Sequence, residues 1–276
     1  MGAMTEQAER YDRIATGYSH WWAPIIAPRA VALLDHVEPA IAAGARRVVD
    51  VGTGTGTLAI AALRRWPGIE VVGVDASSGM TEVAAAEADR LLGRDDRRRF
   101  ESRVAFADEL PFEDASFDVA ISSFVFQLVP NRFRALREAR RILRPGGTLA
   151  YVSWLADDRA FPPDADFDAA LEEIGIGARD WDDRPGDLPS VEAAQAQMRR
   201  AGFSAVAAEA GLLEHPFDVE GYVGFMTAFD EEDLVRSLEP DERDRLVAGL
   251  RRRLRARPAA DLVLRLPTVT VRGTRS

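Results

Sequence analysis

The chain has 276 residues, of which 47% are hydrophobic and 29% charged, and a net charge of −10 at pH 7. It contains neither cysteine nor lysine, which excludes disulfides, thiolate metal sites, Schiff-base catalysis and a Walker P-loop. The acid excess argues against a nucleic-acid partner. Without an apolar run of about 18 residues or a secretory signal pattern, we expect a cytoplasmic protein that does not enter membranes.

The predicted elements begin after a short N-terminal segment. We interpret residues 1–3 as the remnant of an expression tag before a native start at Met4, and the arginine-only, alanine-rich composition as bacterial. From residue 46 to 154, apolar runs alternate with helical stretches. We predict strands at 47–51, 70–74, 102–106, 117–122 and 148–153, and helices at 57–65, 78–92 and 131–143. This alternation is typical of a doubly wound, mostly parallel sheet with helices on both sides.

The second half of the chain is less regular. A segment rich in Asp, Pro and Gly follows, with one short helix near 168–174. Then come a helix at 191–202, a strand at 205–213, a helix at 219–257 and a terminal strand at 262–272. We therefore predict one α/β domain over residues 5–276, with a seven-stranded Rossmann-like sheet. The segments at about 155–189 and 219–257 are predicted to be helical lid insertions over the carboxyl edge of the sheet.

A glycine-rich loop, residues 50–56, joins the first strand to the first helix with the sequence Asp-Val-Gly-Thr-Gly-Thr-Gly. Glycines let the backbone turn tightly and approach a ligand. The dinucleotide fingerprint spaces them G-x-G-x-x-G around a pyrophosphate, but here Thr57 holds the third glycine's place. Asp50 would repel a pyrophosphate and suits an ammonium group. The pattern predicts a phosphate-free ligand that is cationic at one end, and it disfavours the alternative of a nucleotide-binding oxidoreductase.

Asp75 ends the second predicted strand. A carboxylate at this position can accept both hydroxyls of a ribose. The alternative is that Asp75 caps the following helix beside Ser77. The two roles are compatible.

Several stretches, taken together, carry a family resemblance. They are residues 48–56, 72–80, 110–112 with 116–118, and 143–147, preceded by an opening Tyr-Asp-Arg-Ile-Ala at 11–15 with Tyr18. In this order and spacing the chain resembles a class I S-adenosylmethionine-dependent methyltransferase, of the subgroup that includes ubiquinone-biosynthesis and other small-molecule methyltransferases. The resemblance covers about residues 8–154 well and the remainder loosely.

The resemblance implies S-adenosylmethionine as cofactor, S-adenosylhomocysteine as its product, and no metal. In the family's arrangement the loop glycines would line the cofactor, Asp50 would lie near its ammonium group, Asp75 would hold the ribose, and Met80 would pack on the adenine. The cofactor-binding residues implied in this way are Tyr11, Tyr18, Asp50, Gly52, Thr53, Gly54, Gly56, Asp75, Ala76, Met80, Phe106, Ala107, Asp108, Ser122 and Ser123.

One departure from the family pattern concerns the adenine. The subgroup usually has Asp-Ala shortly before Leu-Pro-Phe, and that aspartate accepts from the adenine amine. Here Phe106 and Ala107 occupy those places, and the acid follows at Asp108. Either Asp108 substitutes after a local shift, or Phe106 packs on the ring and the amine bonds elsewhere.

Methyl transfer from a sulfonium is an in-line displacement, and a general base is needed only when the nucleophile carries a proton. His20 is the candidate catalytic base, with an exposed loop histidine as the alternative. Gln127 stands where many relatives have a histidine. The predicted substrate pocket is largely aromatic, which favours a small apolar or aromatic acceptor. Its residues are Trp21, Trp22, Phe124, Gln127, Trp154, Tyr222 and Phe225, with further aromatics at Phe161, Trp181 and Phe229.

The sequence thus predicts an enzyme that transfers a methyl group to an oxygen, nitrogen or carbon atom of a small molecule. A cofactor-binding regulator without catalysis is the second alternative, beside the oxidoreductase. The partner expected is a small-molecule substrate, and a homodimer is left open.

Overall fold

Seven strands form one sheet in the order β3-β2-β1-β4-β5-β7-β6. The computed structural model describes residues 2–179 and 187–276, with side chains from residue 6 onward. The strands are β1 (Arg47–Val51), β2 (Glu70–Asp75), β3 (Phe100–Val104), β4 (Phe117–Ser123), β5 (Leu143–Trp154), β6 (Phe203–Pro216) and β7 (Val263–Arg275). Strands β1 to β5 pair in parallel, whereas β7 runs antiparallel to β5. The predicted mostly parallel, seven-stranded sheet is confirmed.

Helices lie on both sides of this sheet. The helices of the described residues are α1 (Gly2–Trp21), α2 (Ala23–Ala32), α3 (Glu38–Ala42), α4 (Thr57–Arg65), α5 (Ser78–Leu91), α6 (Arg94–Arg97), α7 (Arg132–Ile142), α8 (Pro162–Glu173), α9 (Val191–Arg200), α10 (Val219–Phe225), α11 (Glu232–Ser237) and α12 (Pro240–Ala256). No helix in the described ranges is long and apolar enough to span a membrane.

The core of the sheet explains why its strands have continuous apolar runs. Val49 of β1, Phe117 of β4 and Leu149 of β5 are fully buried in one cluster with Leu136 of α7 and Met198 of α9. Helices α4 and α5 pack on β2 and β3, and α2 packs on α4. Because both faces are covered, central strands need apolar side chains on both sides.

The strand order reverses direction at β1, and this reversal positions the site. From β1 the chain builds outward through β2 and β3, then returns to place β4 on the other side of β1. The loops that follow β1 and β4 therefore diverge at the carboxyl ends of these strands. A crevice at such a switch point is where open α/β sheets bind ligands.

The chain divides into two compact units. The first comprises Met1–Ala156, Pro185–Gly211 and Pro267–Ser276, and the second comprises Asp157–Arg184 and Leu212–Leu266. Three acids on α8 hold the second unit together: Asp164 accepts from the Tyr222 hydroxyl, and Asp166 and Asp168 pair with arginines. The predicted insertions at 155–189 and 219–257 lie mostly in this unit, and their role as a lid within one domain stays a prediction.

Several element boundaries differ from those predicted. Strand β3 begins at Phe100, because this buried side chain pairs with Val71. Strand β5 begins at Leu143, which pairs with Phe117, and a bulge absorbs residues 144–147 before Thr148 pairs with Val119. The predicted helix at 168–174 is the longer α8. The predicted helix at 219–257 is three helices, interrupted by a π-helical turn at 226–230 and by a break before Pro240.

Candidate functional site

A cavity opens at the carboxyl ends of β1 to β4. It encloses about 770 Å³, part of which is open to solvent. Its walls come from the segments that follow these four strands and from α1. The lining residues are Gln7, Ala8, Tyr11, Tyr18, Gly52, Gly54, Asp75, Ala76, Met80, Ala105, Phe106, Ala107, Ser123, Phe124, Val125, Leu128, Val129 and Pro130.

The glycines of the 50–56 loop have three different roles. All three have a positive φ, which favours glycine. A Cβ on Gly52 would overlap the side chain of Val125, and a Cβ on Gly56, which precedes α4, would lie 3.2 Å from that of Ala84. A Cβ on Gly54 would have no atom within 4 Å. Gly52 and Gly54 line the cavity, whereas Gly56 does not. Of these three glycines, only Gly54 has open space where a side chain would be.

Asp75 fixes the loop from the neighbouring strand. Its Oδ2 accepts from the Gly54 N–H at 2.9 Å, and its Oδ1 accepts from the Ser77 N–H at 3.0 Å. Burial raises the pKa of the Asp75 carboxyl, and these two backbone bonds oppose that rise. The N-cap of α5 is Ser77, whose Oγ accepts from the Met80 N–H at 3.0 Å. Asp75 thus faces the cavity and is not itself the cap of α5.

Asp50 lies beneath the loop and not on the cavity wall. Its side chain is 0% exposed, and its Oδ2 accepts from the Thr53 hydroxyl at 2.9 Å. Its Oδ1 is buried with no hydrogen-bond partner in the described part of the chain. Burial raises the pKa of the carboxyl to about 7. Ser122 is also fully buried, and its hydroxyl donates to the Val51 carbonyl at 2.7 Å.

The residues of the two adenine alternatives lie in different places at the end of the cavity beyond β3. Phe106, Ala107 and Met80 all line the cavity. Asp108 does not: it is 5% exposed, and its Oδ2 lies 3.9 Å from Nε of Arg134. Of the two residues in the adenine alternatives, Phe106 therefore lines the cavity and Asp108 does not.

Helix α1 forms one wall through Tyr11 and Tyr18. Their rings pack edge to face with centroids 5.9 Å apart, and burial raises the pKa of both phenols. Gln7 and Ala8 extend this wall toward the start of the helix. Neither residue was predicted from the sequence, although position 7 follows the same helical period as positions 11 and 18.

An aromatic cluster adjoins the cavity after β4 and β5. Phe124 lines the cavity with a positive φ of 56°, which is unusual for a bulky residue. Its ring stacks on Trp154 at 3.9 Å between centroids, and Trp22 lies 6.3 Å from Trp154. Three of the predicted substrate-pocket residues are therefore neighbours.

The other predicted acceptor residues lie elsewhere. His20 is exposed at the end of α1, with its ring edge-on to Trp21, and neither residue lines the cavity. Gln127 lines a neighbouring groove and accepts from the Ser153 hydroxyl at 2.9 Å. Tyr222 and Phe225 pack together within the second unit, which also contains Phe161 and Phe229. Trp181 lies outside the described residues.

The cavity suits a cationic, phosphate-free ligand. Its described lining contains one carboxylate, that of Asp75, and neither arginine nor histidine. A sulfonium or ammonium group is favoured in such surroundings, whereas a pyrophosphate would lack a cationic partner. Within the described ranges, no group of three or more acidic or histidine side chains could hold a metal ion.

Comparison with known proteins identifies the family. Residues 49–151 match the family model described as a methyltransferase domain. The chain is 37% identical over 171 residues to malonyl-[acyl-carrier protein] O-methyltransferase of Geobacter sulfurreducens, covering 62% of this chain and 58% of that protein. It is 33% identical over 187 residues to demethylmenaquinone methyltransferase of Thermus thermophilus, covering 61% of this chain and 79% of that protein.

A solved structure agrees at the level of the fold. The YcgJ protein of Bacillus subtilis superposes with a TM-score of 0.56 at 20% identity, over 90% of this chain and 98% of that one. The chain belongs to the class I S-adenosylmethionine-dependent methyltransferases, enzymes whose methyl donor is S-adenosylmethionine. The chain spans 58% of the length of the Geobacter relative.

Proposed function

We propose that the chain transfers the methyl group of S-adenosylmethionine to an oxygen, nitrogen or carbon atom of a small apolar or aromatic molecule. The observation that carries this proposal is the cavity at the β1–β4 switch point, where the Gly54 backbone faces open space beside the Asp75 carboxylate. The cofactor supplies an electrophilic methyl on a sulfonium. The protein's task is to align the acceptor and exclude water.

Each wall of the cavity is assigned a part of the cofactor. Asp75 would accept the ribose hydroxyls, because a carboxylate can accept two such bonds. Phe106, Ala107 and Met80 would pack on the adenine. Ser123 and the two α1 tyrosines would surround the methionyl end.

Residues that do not line the cavity would act on the cofactor indirectly, by holding the cavity walls in place or through their charge. Asp50 and Thr53 are bonded to each other beneath the glycine loop. An ionised Asp50 would favour the cofactor's ammonium group through the loop without direct contact. Ser122 ties β4 to β1, and Asp108 lies behind the segment that presents Phe106.

The acceptor side is assigned to the aromatic cluster of Phe124, Trp154 and Trp22. Stacked rings next to a methyl donor favour an apolar or aromatic acceptor. The demethylmenaquinone methyltransferase relative, by its name, acts on a molecule of this kind, and the malonyl relative acts on a carrier-bound acid. His20 is exposed outside the cavity lining, so we favour a reaction that needs no side-chain base. Tyr222 and Phe225 stay predicted contributors to the pocket.

Calorimetric titration tests the cofactor assignment. We expect S-adenosylhomocysteine to bind in the micromolar range, about −8 kcal/mol, and NAD to give no measurable heat. Binding of NAD in preference to S-adenosylhomocysteine would contradict the proposal. Turnover with a panel of phenols and amines then separates an enzyme from a regulator that binds the cofactor without catalysis. A homodimer and a bacterial, cytoplasmic setting stay predictions.

A further inference from the structure

The Asp12 side chain of helix α1 bonds to the start of α5, within a wider packing of the two helices. Asp12 Oδ1 accepts from the Ser77 hydroxyl at 2.6 Å and from the Gly79 N–H at 2.8 Å. The Ser77 bond is the main reason that the pKa of Asp12 lies below its usual value. Asp12 is otherwise exposed to solvent. The carboxylate therefore binds the amino-terminal end of another helix, where negative charge is favoured.

The backbone of α1 also approaches α5 closely at the same point. A Cβ on Gly79 would lie 3.1 Å from the Asp12 carbonyl oxygen and 3.2 Å from its Cα. A side chain at position 79 would push the α1 backbone back by a few tenths of an ångström. The contact thus has two independent parts, one made by the Asp12 side chain and one by its backbone.

This contact lies between two parts of the cofactor cavity. Tyr11, the residue before Asp12, lines the cavity from α1, and Asp75 lines it two residues before Ser77. A displacement of α1 from α5 would carry Tyr11 and Tyr18 away from the cavity. Asp12 is one point within a wider packing of α1 against α5, and part of a protein can open locally without global unfolding.

We propose that Asp12 is a positioning residue that fastens α1 over the cofactor cavity, and that this contact with Gly79 limits the rate at which S-adenosylhomocysteine leaves. The inference rests on the cofactor site proposed above. Because α1 walls the cavity, a bound ligand is released faster when α1 is displaced more often. This role of Asp12 does not depend on which molecule accepts the methyl group.

Three variants distinguish this contact between Asp12 and the start of α5, which we call the latch, from a general loss of stability. Asp12→Ala removes the bonds accepted from Ser77 and Gly79 together with a longer one from the Ser78 hydroxyl at 3.4 Å, whereas Asp12→Asn keeps an acceptor oxygen. Gly79→Ala keeps the carboxylate and adds a Cβ against the α1 backbone. Since alanine has a higher helix propensity than glycine, this change does not weaken α5 itself. Arg13→Ala is the matched control, because Arg13 is the exposed neighbour of Asp12 on the same helix.

The measurements are the dissociation rate of S-adenosylhomocysteine and the hydrogen exchange of residues 7–18 in the ligand-free protein. We expect Asp12→Ala to release the ligand at least about tenfold faster, as the loss of charge-assisted bonds predicts. Gly79→Ala should also release it faster, because the added Cβ pushes against the α1 backbone. Both should also exchange these amides faster than wild type. Asp12→Asn should release the ligand and exchange these amides at rates closer to those of the wild type than to those of Asp12→Ala. Arg13→Ala should match the wild type.

The outcomes distinguish the two proposals. Wild-type release and exchange rates in Asp12→Ala and Gly79→Ala, with the ligand still binding, overturn the latch alone. Faster exchange spread equally over α1 and the whole of α5 in Asp12→Ala indicates a structural role and also overturns it. Failure of the wild type to bind S-adenosylhomocysteine overturns the cofactor site, and the latch with it.

Discussion

The two acids of the site, Asp50 and Asp75, end neighbouring strands but lie in different surroundings. Asp75 faces the cavity and accepts two backbone bonds, whereas Asp50 is fully buried beneath the glycine loop. Both were predicted from the sequence to bind the cofactor. Sequence alone identifies residues at the ends of strands, but the path of the following loop determines which carboxylate it covers.

Asp75→Asn tests the ribose role at this residue. Asparagine has one acceptor oxygen, so at least one of the bonds from Gly54 and Ser77 is lost. The free energy of unfolding should fall by about 1–2 kcal/mol. The affinity for S-adenosylhomocysteine should fall at least about tenfold, since the ribose loses a carboxylate acceptor. Urea unfolding and calorimetry measure the two effects separately.

Ser190→Ala provides the matched control for stability. The Ser190 hydroxyl caps α9 by accepting from the Ala193 N–H at 3.1 Å, and it does not line the cavity. Its loss should cost about 1 kcal/mol and leave the affinity unchanged. If Asp75→Asn binds S-adenosylhomocysteine as tightly as Ser190→Ala does, Asp75 does not hold the ribose.

Among the elements, those with a strong local pattern were predicted best. Strand β1 and the helix after it were placed correctly, because a buried valine run ends at the glycine loop. The start of β5 at Leu143 was missed, because the Pro-Gly-Gly that follows suggests a turn, and only pairing with β4 makes it a bulge. The positive φ of Phe124 has no sequence signal either, since its conformation depends on stacking against Trp154.

The glycine loop permits a direct test of its contact surface. Gly54→Val places a branched side chain in the open space of the cavity, and we expect it to abolish measurable binding of S-adenosylhomocysteine. The positive φ of 54° adds a cost of about 1–2 kcal/mol to folding. Calorimetry measures the binding, and thermal unfolding measures the cost.

Gly146→Val is the control that separates the cost of a side chain at a positive φ from the effect of filling the cavity. Gly146 has a φ of 82° and also has no atom within 4 Å of an added Cβ, but it lies in the bulge of β5. This variant should lose similar stability and bind normally. Normal binding by Gly54→Val would show that the loop is not the contact surface.

At the scale of the whole molecule, the free energy of unfolding depends on pH through the buried carboxyl of Asp50. The net charge is −10, and burial raises the pKa of Asp50 to about 7. An unfolded aspartate has a pKa of about 3.9. The folded state therefore binds the proton more tightly than the unfolded state. The stability that this bound proton adds to the folded state is complete below about pH 4 and is lost as the pH rises to about 7.

Asp50→Asn should remove this part of the pH dependence, because the amide is neutral at every pH and can still accept from Thr53. Between pH 5 and pH 8 the wild type should lose about 2–3 kcal/mol more than the variant. Urea unfolding at both pH values measures the difference. The pKa of Asp75 is raised too, so only the comparison with the variant isolates Asp50. Equal losses in the two proteins would show that Asp50 is ionised in the folded state.

The contact of Gly52 with Val125 has a consequence for redesigning this enzyme. Val125 occupies the space that a side chain at position 52 would need, and it lies next to Phe124 of the proposed acceptor cluster. A larger residue at 125, introduced to change the choice of acceptor, would push against the glycine loop that we propose binds the donor. Mutant libraries for new acceptors are therefore better directed at Trp22 and Trp154, whose rings lie outside the cavity lining.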